Sequence, residues 1–172
     1  MLLLKVLETD RLIVRQLSPE DAEFIFKLLN EPSWLRFIGD KGVRTIEDAR
    51  AYILNGPVEM YSRLGFGLYL VELKEGGVSI GMCGLVKRDA LEDVDLGFAF
   101  LPEYWSRGYA YEAASAVMAY GRSALGLNRI VAITSVDNDS SAKLLKKLGF
   151  KFEKMIKLSA ESQEIKLFGT NL

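Results

Sequence analysis

Val94-Asp-Leu-Gly-Phe-Ala-Phe-Leu101, Pro102-Glu-Tyr-Trp-Ser-Arg-Gly108 and Tyr109-Ala-Tyr-Glu-Ala113 run on from one another, and their reading decides the fold. Residues 94–101 have the length and apolar content of a strand, and residues 110–125 repeat apolar positions at helical spacing. Between them lies a short loop with Pro102 at its entrance and Gly108 at the helix start. The first N–H groups of a helix have no intrahelical partner and point along a dipole that favours negative charge. Arg107 adds a cation inside the loop. The stretch therefore reads as a candidate cradle for the phosphates of a cofactor. A plain strand-to-helix turn, with Gly108 relieving backbone strain, accounts for the same loop equally well. Neither the three-glycine dinucleotide fingerprint nor the Gly-Lys-Ser/Thr ending of a P-loop occurs.

Downstream, Ala110, Ala113, Ala114, Val117, Met118 and Gly121 form a small-residue face that lets the helix lie close to a sheet. Residues 129–135 read as a buried strand, and the right-handed crossover rule sets it parallel to residues 94–101. Asp137 to Ser141 form a polar turn that caps a short helix, 142–148, stopped by Gly149. Two last strands, 150–158 and 163–171, follow. Upstream, runs 66–74, 78–89 and 94–101 form an antiparallel meander. Gly81 and Gly84 mark a bend or bulge in its second strand. Residues 7–17 hold one strand, and Ser18-Pro19-Glu20-Asp21 opens a helix with a capping box. Residues 34–42 read as an irregular aromatic-bearing loop. Thr45 with Asp48 caps a second helix that ends near Gly56-Pro57. The pattern predicts a single α+β domain over residues 1–172, with a mixed sheet.

Composition narrows what the chain can do. A net charge of −1 argues against a general nucleic-acid binder. No apolar run approaches the length of a membrane span, and the start of the chain lacks a signal-peptide core. The single cysteine, Cys83, cannot form an internal disulfide, which suits a cytoplasmic protein. The absence of histidine removes the commonest general base, the Ser-His-Asp and Cys-His nucleophile systems and most zinc sites. No metal is expected.

The stretch from Asp95 to Ala113 resembles the cofactor signature of the GNAT N-acetyltransferases. It is most similar to the RimJ/RimL-like branch, which acetylates the N-termini of ribosomal proteins. Asn138-Asp-Ser-Ser141-Ala-Lys-Leu-Leu-Lys-Lys-Leu-Gly149-Phe150 resembles the second signature of that family, and Glu8-Thr9-Asp10-Arg11-Leu12 with Arg15 its opening. The resemblance implies a GNAT fold: a mostly antiparallel mixed sheet of about seven strands, about four helices and a splayed parallel strand pair. It implies acetyl-CoA in that splay. Backbone groups of Phe98, Ala99, Phe100 and Leu101 would hold the pantetheine arm, as an added strand pairs with a sheet edge. The N–H groups of Ser106, Arg107, Gly108, Tyr109 and Ala110 would hold the pyrophosphate. Asn138 would meet the pantetheine amides or cap a helix, and Lys143 with Arg107 would meet the phosphates. Lys146 and Lys147 read as a solvated face. Trp105 stands where the family motif usually starts with Gln or Arg, at little cost because backbone groups do most of the binding.

The resemblance also implies direct transfer of an acetyl group to a primary amine, either a protein N-terminus or a small molecule. A protonated amine cannot attack, so a base is needed. Without histidine a carboxylate takes that role, and Asp95 is the first candidate. Many family members carry a tyrosine as acid where this chain has Leu145; Ser141 is the substitute, although a helix cap explains it equally. Trp34, Arg36 and Phe37 would wall the acceptor site. Cys83 reads as a buried small residue. Two rivals stand beside this reading: a domain that senses acyl-CoA without catalysis, and a structural module that binds an anion or nucleotide. The sequence allows a monomer or a homodimer.

Overall fold

The computed structural model describes residues 4–172. The expectation about a signal-peptide core at the chain start falls partly on Met1-Leu2-Leu3, outside the described residues. Strands β1 (Lys5–Glu8) and β2 (Leu12–Arg15) form a hairpin where one strand was predicted. Its turn is closed by Thr9, whose N–H donates to the Leu12 carbonyl and whose hydroxyl accepts from the Leu12 N–H. A 3-10 turn at Pro19–Asp21 leads into α1 (Ala22–Leu29), and the Asp21 carboxylate accepts the Ser18 N–H at 2.9 Å, as the capping box requires.

The aromatic-bearing stretch, read as irregular over residues 34–42, is helical in its first part and irregular only from Ile38 onward. Pro32 sits in the first turn of a short helix, α2 (Pro32–Phe37), where its fixed φ is already helical and its missing N–H is not needed. Helix α3 (Ile46–Ile53) is capped by the Thr45 hydroxyl, which accepts the Asp48 N–H at 3.0 Å. It does not end at Gly56-Pro57. A π-helical turn, Leu54–Val58, absorbs the proline and the helix resumes as α4 (Glu59–Leu64).

The meander follows as predicted: β3 (Leu68–Leu73), β4 (Ser79–Val86) and β5 (Asp95–Phe100). The register of β3 against β4 slips at Ile80, so the bulge lies beside Gly81. Gly84 answers a different need: a Cβ there would collide with the Gly67 carbonyl. After the loop come α5 (Tyr109–Ser123), β6 (Arg129–Ser135), α6 (Asp139–Lys147), β7 (Lys151–Ile156) and β8 (Ile165–Asn171). The eight strands make one sheet in the order β1-β2-β3-β4-β5-β6-β8-β7. Every neighbouring pair is antiparallel except β5 and β6.

Alternation along the strands divides the core into two layers. Val71, Cys83 and Leu85 face α5, where Ala113, Ala114 and Val117 are fully buried. Leu70, Met82 and Leu101 face the other way, onto Ile25, Leu28, Ala49 and Ile53 of α1 and α3. The small face of α5 brings it close: a Cβ on Gly121 would stand 3.3 Å from Leu85 Cδ1. Each fully buried aliphatic side chain in these layers contributes about 1.5–3 kcal/mol. Among the described residues no helix is long and apolar enough to cross a membrane.

Candidate active site

The two layers leave β5 committed on one edge and open on the other. Along β4 it is paired from Asp95 to Phe100, whereas β6 meets it in register only at Asp95 and Val131. The Val131 N–H donates to the Val94 carbonyl at 3.0 Å, and beyond that point the strands part. This fixes the parity of β5. Main-chain groups of Leu96, Phe98 and Phe100 face the open side, while those of Ala99 and Leu101 face β4, where the Leu101 N–H donates to Ile80. The Phe100 carbonyl is already taken by the Trp105 indole N–H at 2.8 Å, which leaves Phe98 as the free edge residue in the middle of the splay. A cavity of about 550 Å³ fills the wedge.

At one end of the cavity lie Ser106, Gly108, Tyr109 and Ala110. Ser106 and Gly108 both hold left-handed backbone, with φ of 61° and 83°. The first intrahelical bond of α5 runs from the Glu112 N–H to the Gly108 carbonyl, so the preceding N–H groups have no acceptor within the helix. The first hairpin braces this loop. Arg11 sends Nε to Glu112 at 2.7 Å and Nη1 to the Arg107 carbonyl at 3.0 Å, and its guanidinium lies 4.4 Å above the Tyr109 ring. Burial pushes the Glu112 carboxyl pKa up, but hydrogen bonds from Thr9 and Arg11 hold it below the usual value.

The opposite face of β5 makes the second half of the cavity. Trp34 and Phe37 of α2 line it, with Leu68, Met82, Gly97 and Ala99. Asp95 lies at its floor, 1% exposed, with its carboxylate 2.8 Å from Arg88 Nε. Burial raises its pKa above the usual carboxylate value, and Arg88 offsets part of that rise. On the β6 side, Asn138 Oδ1 caps α6 by accepting the Ser141 N–H at 3.2 Å, which leaves the Asn138 amide NH2 for the cavity that both residues line.

Of the residues predicted for a site, Asp95, Ser141, Phe98, Ala99, Phe100, Ser106, Gly108, Tyr109, Ala110, Asn138, Trp34 and Phe37 line this one cavity. Leu101 is packed in the α1 layer instead. Arg107 offers its carbonyl to Arg11 and lays its guanidinium 5.9 Å from the Tyr104 ring centroid. Lys143 is exposed and off the cavity wall, while Lys147 lines it and sits 4.4 Å over Tyr111. Arg36 reaches across the mouth to Asp137 at 3.3 Å. Leu145 is buried in the core, so no side-chain acid stands at that position. Burial also pushes the Cys83 thiol well up, which makes it a packing residue. Sequence reading missed Arg88, Lys41 and the Arg11–Glu112 brace; the signal for the brace lay in the quoted Thr9-Asp10-Arg11-Leu12 signature.

A profile of the acetyltransferase (GNAT) domain matches residues 11–151. The uncharacterized N-acetyltransferase YoaA of Bacillus subtilis is 36% identical over 154 residues, which cover 88% of this chain and 86% of that protein. The chain belongs to the GNAT acetyltransferase family. Among solved structures, RimL, a ribosomal L7/L12 α-N-protein acetyltransferase in complex with coenzyme A, superposes with a TM-score of 0.83 at 16% identity, covering 98% of each chain. The ribosomal-protein-S5-alanine acetyltransferase of Vibrio fischeri gives 0.78 at 22% identity, covering 96% of each. The fold is thus the one shared by the branch that the sequence resembles.

Proposed function

We propose that this protein transfers an acetyl group from acetyl-CoA directly to a primary amine. The observation that carries the reading is the wedge where β5 leaves β6 after Asp95 and Val131, running on into the Gly108 loop. The residues fit the ligand. Phe98 offers an unshared main-chain edge to a pantetheine arm, and the Asn138 amide supplements it from the other wall. Unpartnered N–H groups before Glu112, at the head of a fifteen-residue helix, suit a pyrophosphate. Gly108 holds φ of 83° and lets phosphate approach the backbone. Bound there, acetyl-CoA supplies an activated thioester.

Asp95 accepts the proton that the amine must lose, directly or through water. Its raised pKa brings it nearer the pH at which an amine is handled, and Arg88 keeps the carboxylate form populated. The Ser141 hydroxyl, from the cavity wall on the α6 side, would hydrogen-bond the departing sulfur. A thiol pKa of about 8.5 also lets thiolate leave without a strong acid. Trp34 and Phe37 wall off the acceptor and exclude water.

Calorimetric titration and thermal shift with acetyl-CoA, CoA, ATP and NAD test this. A ligand at 100 times its Kd adds about 2.7 kcal/mol. Acetyl-CoA and CoA are expected to shift the transition; a shift with ATP or NAD alone would discard the reading.

A further inference from the structure

The acceptor end of the cavity combines an apolar wall with two cationic groups, one of which has no ion-pair partner among the described residues. Trp34, Phe37, Leu68 and Met82 supply the wall. Arg88 and Lys41 also line it. Arg88 gives only Nε to Asp95, so its two Nη atoms make no hydrogen bond among the described residues. Lys41 is solvent-exposed and has no carboxylate within 4 Å among those residues; partial desolvation first, and Arg88 second, lower its pKa. Glu31, the other carboxylate on the cavity wall, pairs with neither cation. Of these two cations one is half-engaged by Asp95 and the other is unpaired, so together they offer free donors to an anion beside the apolar wall.

We propose that the acceptor is an apolar amine that carries a carboxylate close to its amino group, received by Lys41 and the Nη atoms of Arg88. This rests on the amine-acetylating reading above. The amine would lie toward Asp95 and the apolar body against Trp34 and Phe37. Linear polyamines, which bring further positive charge, are disfavoured. A free apolar amino acid and a peptide with an acidic residue next to its N-terminus share this chemistry.

The test compares acetylation of phenylalanine, phenethylamine, the dipeptide amides Phe-Asp and Phe-Asn, and spermidine. A charge-assisted hydrogen bond is worth about 1.5–3 kcal/mol, so carboxylate-bearing acceptors should lead their neutral partners by tenfold or more in kcat/KM. Lys41→Ala should collapse that ratio and Lys41→Arg should retain it. Phenylalanine leading phenethylamine points to a free amino acid, and Phe-Asp leading Phe-Asn to a peptide. Equal rates within both pairs, or a lead by spermidine, would overturn the proposal. Calorimetry with CoA present supplies a readout without turnover: N-acetylphenylalanine should bind about tenfold more tightly than N-acetylphenethylamine, and failure of both also overturns it. Should the protein bind no acetyl-CoA at all, the fault lies with the acetyltransferase reading rather than with Lys41.

Discussion

Arg11 and Glu112 meet at 2.7 Å across 101 residues of sequence, and through this pair the first hairpin holds the head of α5. A cation beside a helix N-terminus is electrostatically unfavourable by itself. Glu112 in the first turn compensates it, and the remaining Nη1 is turned on the Arg107 carbonyl. That bond fixes the peptide entering Gly108, so the N–H groups beyond it keep their outward direction. Arg11→Ala should therefore raise the Kd for CoA about tenfold, the order of one charge-assisted hydrogen bond. The kcat at saturating acetyl-CoA should stay within a few-fold. Arg11→Lys keeps the charge without the planar fork and should recover only part of the affinity. Titration calorimetry on the three proteins checks this; equal Kd values would remove the brace from cofactor binding.

Gly108 is constrained twice. Its φ of 83° is strained for any L side chain, and a Cβ would approach Arg11 Nη2 at 3.2 Å. Gly108→Ala should cost about 1–2 kcal/mol of stability through the left-handed backbone and weaken CoA binding through the displaced guanidinium. Gly108→Glu adds negative charge at the proposed phosphate position and should abolish binding while the protein still folds. Circular dichroism with CoA titration separates the two effects, and undiminished CoA affinity in Gly108→Glu would rule out the loop as the pyrophosphate site.

The Asp95–Arg88 pair makes a signed pH prediction. With the Asp95 carboxylate as the proposed base, kcat should rise with pH through the Asp95 pKa. Burial raises that pKa and Arg88 lowers it. Arg88→Gln leaves burial uncompensated, and the acid limb of the profile must then move to higher pH. Asp95→Asn should remove that limb and lower kcat by about 10²–10⁴ with acetyl-CoA affinity retained. An acid limb that stays in place in Arg88→Gln would separate the pair from catalysis.

Much of this architecture was legible in the chain. Strand, loop and helix around Gly108 carry strong local signals, and the crossover rule placed β6 beside β5. What could not be read depends on three-dimensional neighbours. Thr9 splits the first strand because its hydroxyl competes for the Leu12 N–H. Pro57 does not end its helix because a π turn makes room for it. The alternation of β5 showed that Asp95, Gly97 and Ala99 share a face, but not that Arg88 folds back onto Asp95 across the Arg88–Val94 turn. Of the four residues expected to offer backbone, the register gives the open edge to Phe98 and Phe100 and spends the latter on Trp105. No periodicity in a single sequence carries that parity, because it is set by one hydrogen bond from Val131.

Arg15, part of the opening signature, has a structural task. Its guanidinium is buried, forked onto Asp21 at 2.9 and 3.0 Å and joined to Glu72 at 3.3 Å. It ties β2 to the start of α1 and to β3, and it does not line the cavity. Removing one partner of a buried ion pair strands the others, at about 3–5 kcal/mol. For a chain of this size each kcal/mol moves Tm by about 2–4 °C, so Arg15→Met should lower it by roughly 10 °C. Asp21→Asn and Glu72→Gln, added to Arg15→Met, discharge the stranded carboxylates and should return part of the loss. CoA affinity, measured well below the transition, should not change. A Tm within about 2 °C of the parent would mean that water reaches this triad and screens it as it does a surface pair.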